Sequence, residues 1–301
     1  MFLPLGFELR SVMTSLGKMV YYTAEGELWQ TKDTDVTEDL PSLLFLHGFG
    51  GGSSAYEWSK VYPAFADEYR IVAPDLIGWG YSHHPQRNYQ IDDYLQNITE
   101  FIEKTCTEPV AVVASSLTAG LLIRLAVVNP HLFKCLILIA PSGLADFGEN
   151  SVSNFFTQLI SIPGVNSLIY NLGIANKSAI RSFLEERQFA NSNRVSEEIV
   201  EAYAESASQP NAEYAALSFV RGDLSFDLSL YISQLNIPTT FIWGQESQFT
   251  KPEMGKRLAD LNPQSVRYFE QLENVGLTPQ LEVPAVTIGL IRKFLRLLNG
   301  N

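Results

Sequence analysis

Two stretches of the chain hold residues whose types and spacing suit acyl-transfer chemistry. The run Val110-Ala-Val-Val-Ala114-Ser115-Ser116-Leu117-Thr118-Ala119-Gly120 leads from a β-branched apolar segment through two serines into a helical-period segment. A serine on so tight a strand-to-helix turn presents its hydroxyl above the sheet. Read alone, Ser116 fits a helix N-cap, the usual reading of a serine before a helix. The run Leu43-Leu-Phe-Leu-His47-Gly48-Phe49-Gly50-Gly51 ends a second apolar segment in glycines. Such a turn bends sharply and offers backbone N–H groups to a developing anion. The third ingredient is a base, because a serine hydroxyl is a weak nucleophile on its own. The chain has four histidines, His47, His83, His84 and His131, and none beyond position 131.

The elements that must position these residues alternate between strand and helix. A hairpin is expected over 10–24, with strands at 43–46, 69–73, 110–114, 135–140, 239–243 and 265–269. Helices are expected at 55–67, 91–105, 118–129, 251–261 and 283–298. That alternation predicts an α/β fold, a mostly parallel sheet with helices on both faces. The stretch between the strands near 140 and 239 is too long for an ordinary connection. Its helical segments at 152–162, 178–187, 196–207 and 212–220 read as an inserted cap over 145–235. Core segments 1–144 and 236–301 flank it. Ser196 with Glu197 and Glu198 looks like a capped helix start. The apolar run from Phe155 to Tyr170 fits a packed cap, a wall over a ligand pocket, or a contact with a membrane surface.

These motifs, in this order, resemble the α/β-hydrolase family of the capped AB hydrolase-1 type. The resemblance implies that Ser116 is the nucleophile-equivalent residue, with Phe49 and Leu117 supplying the oxyanion-hole N–H groups. It implies a turn-stabilising role for His47 and a loop-tying role for Asp75 in Pro74-Asp75-Leu-Ile-Gly78-Trp79-Gly80. The elbow departs from Gly-x-Ser-x-Gly, with Ala114 and Thr118 at the flanks. The family also needs an acid and a histidine on two later loops, where the acid orients and stabilises the imidazole. The acid position in Trp243-Gly244-Gln245-Glu246-Ser247 is Ser247, with Glu246 one place early. The histidine position in Gly276-Leu277-Thr278-Pro279 is Leu277, between framing residues that match the pattern. His83 and His84 are the conceivable stand-ins for the base.

Composition narrows the function classes. A formal net charge of −12 argues against nucleic acid, which needs clustered Lys and Arg. No ligand cluster suggests a metal and no phosphate loop suggests a nucleotide, so no cofactor is expected. No segment reaches the roughly 18 apolar residues of a membrane span, and no signal peptide is evident. Cys106 and Cys135 read as isolated buried thiols in a reducing, cytoplasmic setting. Three functions stay open: a protein binding a hydrophobic small molecule or a partner through a capped pocket; an active non-canonical hydrolase, lyase or transferase using Ser116; and a scaffold.

Overall fold

The structure is a computed structural model that describes residues 2–25, 28–29, 40–106, 109–149, 170 and 175–298. Eight strands form one sheet in the order β1-β2-β4-β3-β5-β6-β7-β8. The strands are β1 (Phe7–Thr14), β2 (Gly17–Ala24), β3 (Ser42–Leu46), β4 (Arg70–Pro74), β5 (Val110–Ser115), β6 (Phe133–Ile139), β7 (Thr239–Gly244) and β8 (Val266–Leu272). β1 and β2 form an antiparallel hairpin, and β2 lies antiparallel to β4. From β4 to β8 every pairing is parallel. The expected α/β architecture is therefore the observed one. β3, β5 and β7 are buried at every position, as strands covered on both faces must be. β8, at the edge, is mostly exposed or half-buried.

The helices are α1 (Ile91–Thr105), α2 (Ser116–Val128), α3 (Lys177–Phe183), α4 (Glu197–Ala207), α5 (Ala212–Val220), α6 (Ser229–Ile232), α7 (Pro252–Asp260), α8 (Pro279–Glu282) and α9 (Pro284–Leu298). α1 buries Tyr94, Ile98, Phe101 and Ile102 at three- and four-residue spacing, so it lays one stripe on the sheet. α9 does the same on the opposite face with Ile291, Phe294, Leu295 and Leu298. Ser196 caps α4 by accepting from Ile199 N–H.

Two expectations need correcting. The segment 55–67 is not one helix but two 3₁₀ turns, Ala55–Trp58 and Tyr62–Phe65. Pro63 has no N–H to donate and would break a longer helix, so the chain turns twice instead. The opening hairpin is longer than expected, starting at Phe7. The helix expected at 152–162, and the apolar run up to Ile169, lie outside the described residues. Tyr170 is buried and its hydroxyl donates to the Ala207 carbonyl at 2.9 Å.

In strand order the chain steps outward from β3 to β4 and then returns across β3 to β5. Ligands of open α/β sheets bind at such a reversal, beyond the carboxyl ends of the strands. The glycine turn follows β3 there and the two serines follow β5.

Candidate functional site

Ser116 opens α2 with φ at 56°, in the left-handed region that costs a non-glycine residue about 1–3 kcal/mol. The fully buried β5 and the nearly all-buried α2 hold it there. Close packing makes the turn possible: a Cβ on Gly120 would lie 2.4 Å from the Ser142 carbonyl oxygen. A Cβ on Gly48 would come within 3.3 Å of Ser116 Cβ, so the glycine turn after β3 lies directly against the serine.

His47 holds that turn and faces no cavity. It is fully buried; Nε2 accepts from Leu76 N–H at 3.0 Å, and Nδ1 lies 2.7 Å from the Gly48 carbonyl. Those partners fix the neutral tautomer with the proton on Nδ1. Burial lowers its pKa to about 4. Asp75, also fully buried, accepts from Ala55 and Tyr81 N–H at 2.7 and 2.8 Å and so ties down its loop. Burial raises its pKa to about 6 against those two hydrogen bonds.

Thr118, one of the two departures in the elbow pattern, has a clear use. Its hydroxyl donates to the His47 carbonyl at 2.6 Å, pinning the first turn of α2 to the turn after β3. Phe49 stands between Trp79 and Tyr94, ring centroids 5.1 and 4.6 Å away. Leu117 lies in the first turn of α2, where amides have no intrahelical acceptor.

The two later loops meet the cavity from the other side. Ser247 is buried and its hydroxyl has no hydrogen-bond partner, while Glu246 beside it is exposed. Leu277 lines the cavity, and its N–H donates to the Gln188 carbonyl at 2.8 Å. Gly276 N–H donates to Glu282 at 2.6 Å, and the second Glu282 oxygen takes Ala190 N–H at 3.0 Å and Arg194 at 3.2 Å. The loops touch through glycine: a Cβ on Gly244 would sit 1.8 Å from the Gly276 carbonyl oxygen. His83 is exposed, with Nδ1 3.1 Å from the Leu16 carbonyl, and His84 points Nε2 at the Gly80 carbonyl at 3.0 Å. Neither is among the residues that line the cavity.

The cavity has a volume of about 320 Å³ and opens beside Ser116. Its apolar wall includes Phe49, Leu144, Ile180, Phe183, Phe219 and Phe249. α3 runs into a π-helical turn, Leu184–Gln188, a form that often marks functional sites. That turn sends Gln188 inward, where its amide donates to Tyr203 Oη at 3.1 Å and Thr278 Oγ1 at 3.3 Å.

One lining residue was not expected from sequence. Glu57, in the first 3₁₀ turn, is 2% exposed, accepts from Gly48 N–H at 3.2 Å and from the Tyr203 hydroxyl at 3.2 Å. Burial raises its pKa, opposed by hydrogen bonds. The signal available was an acid inside Ala55-Tyr56-Glu57-Trp58, a stretch otherwise suited to a core. Among the described residues no group of three or more His, Cys, Asp or Glu side chains can hold a metal ion. Nor is any described helix long and apolar enough to cross a membrane. Cys106 and Cys135 are both buried free thiols.

Comparison with known proteins places this geometry. An uncharacterised protein of Mycobacterium tuberculosis is 31% identical over 104 residues, 35% of this chain and 30% of its own length. The chain thus matches under a third of that relative. The uncharacterised hydrolase YugF of Bacillus subtilis is 27% identical over 232 residues, covering 75% of this chain and 80% of its own. A crystal structure of a serine hydrolase involved in carbazole degradation superposes with a TM-score of 0.76 at 18% identity, covering 97% of this chain and 99% of that one. The family model described as the alpha/beta hydrolase fold matches residues 41–282, and the chain belongs to that family.

Proposed function

We propose that the cavity beside Ser116 binds a hydrophobic small molecule, and that this chain does not work through a Ser–His–acid triad. The observation that carries this reading is Leu277 lining the cavity at the histidine position, between framing residues that keep their places. With Ser247 at the acid position and Glu246 turned to solvent, nothing on the later loops can take the serine proton. Loss of a triad member leaves only about 10³–10⁴-fold acceleration over water. What persists is a largely apolar chamber with a few polar groups in its lining, the usual make-up of a small-molecule site. In this reading residues 145–235 are a cap over a core made of 1–144 and 236–301. A reducing, cytoplasmic setting fits the two free thiols, and the net charge of −12 fits a partner other than nucleic acid.

A second reading, residual serine chemistry, is favoured by the left-handed backbone retained at Ser116. The two separate in one experiment on the full chain. A fluorophosphonate probe should leave Ser116 unlabelled, and 4-nitrophenyl ester turnover should equal that of Ser116→Ala. A series of straight-chain alcohols should bind about fourfold more tightly per added methylene, from about 0.8 kcal/mol each, until the chain outgrows the cavity. Rapid labelling of Ser116 with Ser116-dependent turnover would instead establish the second reading.

A further inference from the structure

We infer that Glu57 sets the chemistry of the ligand: the cavity takes an apolar molecule whose polar end donates a hydrogen bond, and turns away carboxylates. This rests on reading the cavity as a site for a hydrophobic small molecule. Glu57 and Ser116 line the same chamber on opposite sides of Gly48. The Gly48 N–H meets the Glu57 carboxyl at 3.2 Å, while its Cα faces Ser116 Cβ. A carboxylate has about four lone-pair sites. Gly48 and Tyr203 each use one here, and the side chains of Ser53 and Gln280 lie beside the same carboxyl. Its other lone pairs face those two side chains, and a ligand donor entering the chamber beside Gly48 takes the place of one of them.

A second acid backs the other flank of the serine. Ser142, also lining the cavity, donates to Asp146 at 2.7 Å, and Asp146 accepts further from Gly143 and Leu228 N–H, each at 3.0 Å. Among the described residues lining the cavity, the cation is Arg187, an exposed residue of the π-helical turn beside Glu186, with Gln248 at 3.5 Å. A polar head beside Ser116 thus meets buried carboxyl groups and no deep positive charge.

The oxyanion-hole amides pull the other way, since they favour a negative oxygen. They are partial dipoles, and Gly48, the amide next to Phe49, is already spent on Glu57. Two carboxyl groups confined in a water-poor cavity cannot both ionise cheaply, so a bound carboxylate forces a proton onto the pair. An alcohol or an amine carries no such requirement and offers Glu57 the donor it can accept.

The test uses the full chain loaded with the neutral dye Nile red, displaced by octan-1-ol, octylamine or octanoate at pH 8. Octanol and octylamine should displace the dye at concentrations about tenfold or more below octanoate. Glu57→Gln removes the charge and keeps an acceptor oxygen, and should bring octanoate within about threefold of octanol. Calorimetry on the unaltered protein, in two buffers of different ionisation enthalpy, adds a readout independent of that variant's folding. Octanoate should bind with uptake of about one proton and octanol with none. Octanoate binding as tightly as octanol, or binding without proton uptake, would overturn the inference alone. If none of the three displaces the dye, the small-molecule reading fails with it.

Discussion

The two sides of the cavity are built by different means. On the serine side, side chains hold the backbone: His47 takes Leu76 N–H, Thr118 reaches the His47 carbonyl, Asp75 ties Ala55 to Tyr81, and Glu57 takes Gly48 N–H. On the side of the later loops, backbone packs on backbone through Gly244 and Gly276, and Glu282 and Gln188 fasten the result. Both scaffolds are complete. In the proposed reading, the departures from the family pattern are Ala114 and Thr118 on the serine side and Ser247 and Leu277 on the later loops. The loop that carries Leu277 anchors the helical segment between β6 and β7, since Leu277 N–H bonds Gln188 and Glu282 bonds Ala190. The shape of that loop is therefore explained by packing, independent of any catalytic duty.

The sharpest way to break this comparison is to place an acid and a histidine at those two positions on the later loops. Ser247→Asp with Leu277→His should raise 4-nitrophenyl ester turnover by about 10²-fold or more, abolished by adding Ser116→Ala. No gain would mean that the later loops have lost the catalytic backbone geometry after all. Next in size is Gly244→Ala, whose Cβ would collide with the Gly276 carbonyl at 1.8 Å. It should destabilise the fold by about 3 kcal/mol in urea denaturation. A cost below about 1 kcal/mol would show that the two loops can part.

The smallest effect concerns the serine side and pH. Asp75, raised by burial to about 6, binds its proton more readily folded than unfolded, so acidification through that range stabilises. His47, lowered by burial to about 4 from 6.5, binds its proton more readily unfolded, so the same acidification destabilises. The two nearly cancel between pH 6.5 and 4. Asp75→Asn leaves the His47 contribution uncovered, and stability should then fall by about 2 kcal/mol more than in the parent across that interval. Parallel pH profiles for the two proteins would show that these groups are not held as described.

Much of this was legible in the sequence because it depends on local chemistry. The buried runs at β3, β5 and β7, the glycines after His47, and the serine between strand and helix each follow from neighbouring residues. Leu277 could be assigned because Gly276, Pro279 and Glu282 frame it. Glu57 could not, since its burial depends on Tyr203, 146 residues away. Thr118 looked like a defect because its acceptor, the His47 carbonyl, lies 71 residues earlier. The split of 55–67 follows from Pro63, which has no N–H to continue a single helix.

The bonds from Gln188 to Thr278 and from Ala190 to Glu282 span 90 and 92 residues. Domains emerge from the ribosome amino end first, and contacts this far apart in sequence form late. A nascent chain released short of Glu282 would carry the elbow, its left-handed serine and the turn after β3, but the wall that closes the chamber would hang unfastened. The chamber is thus an open cleft before it is a pocket, and only α9 remains to be made once its wall can be fastened.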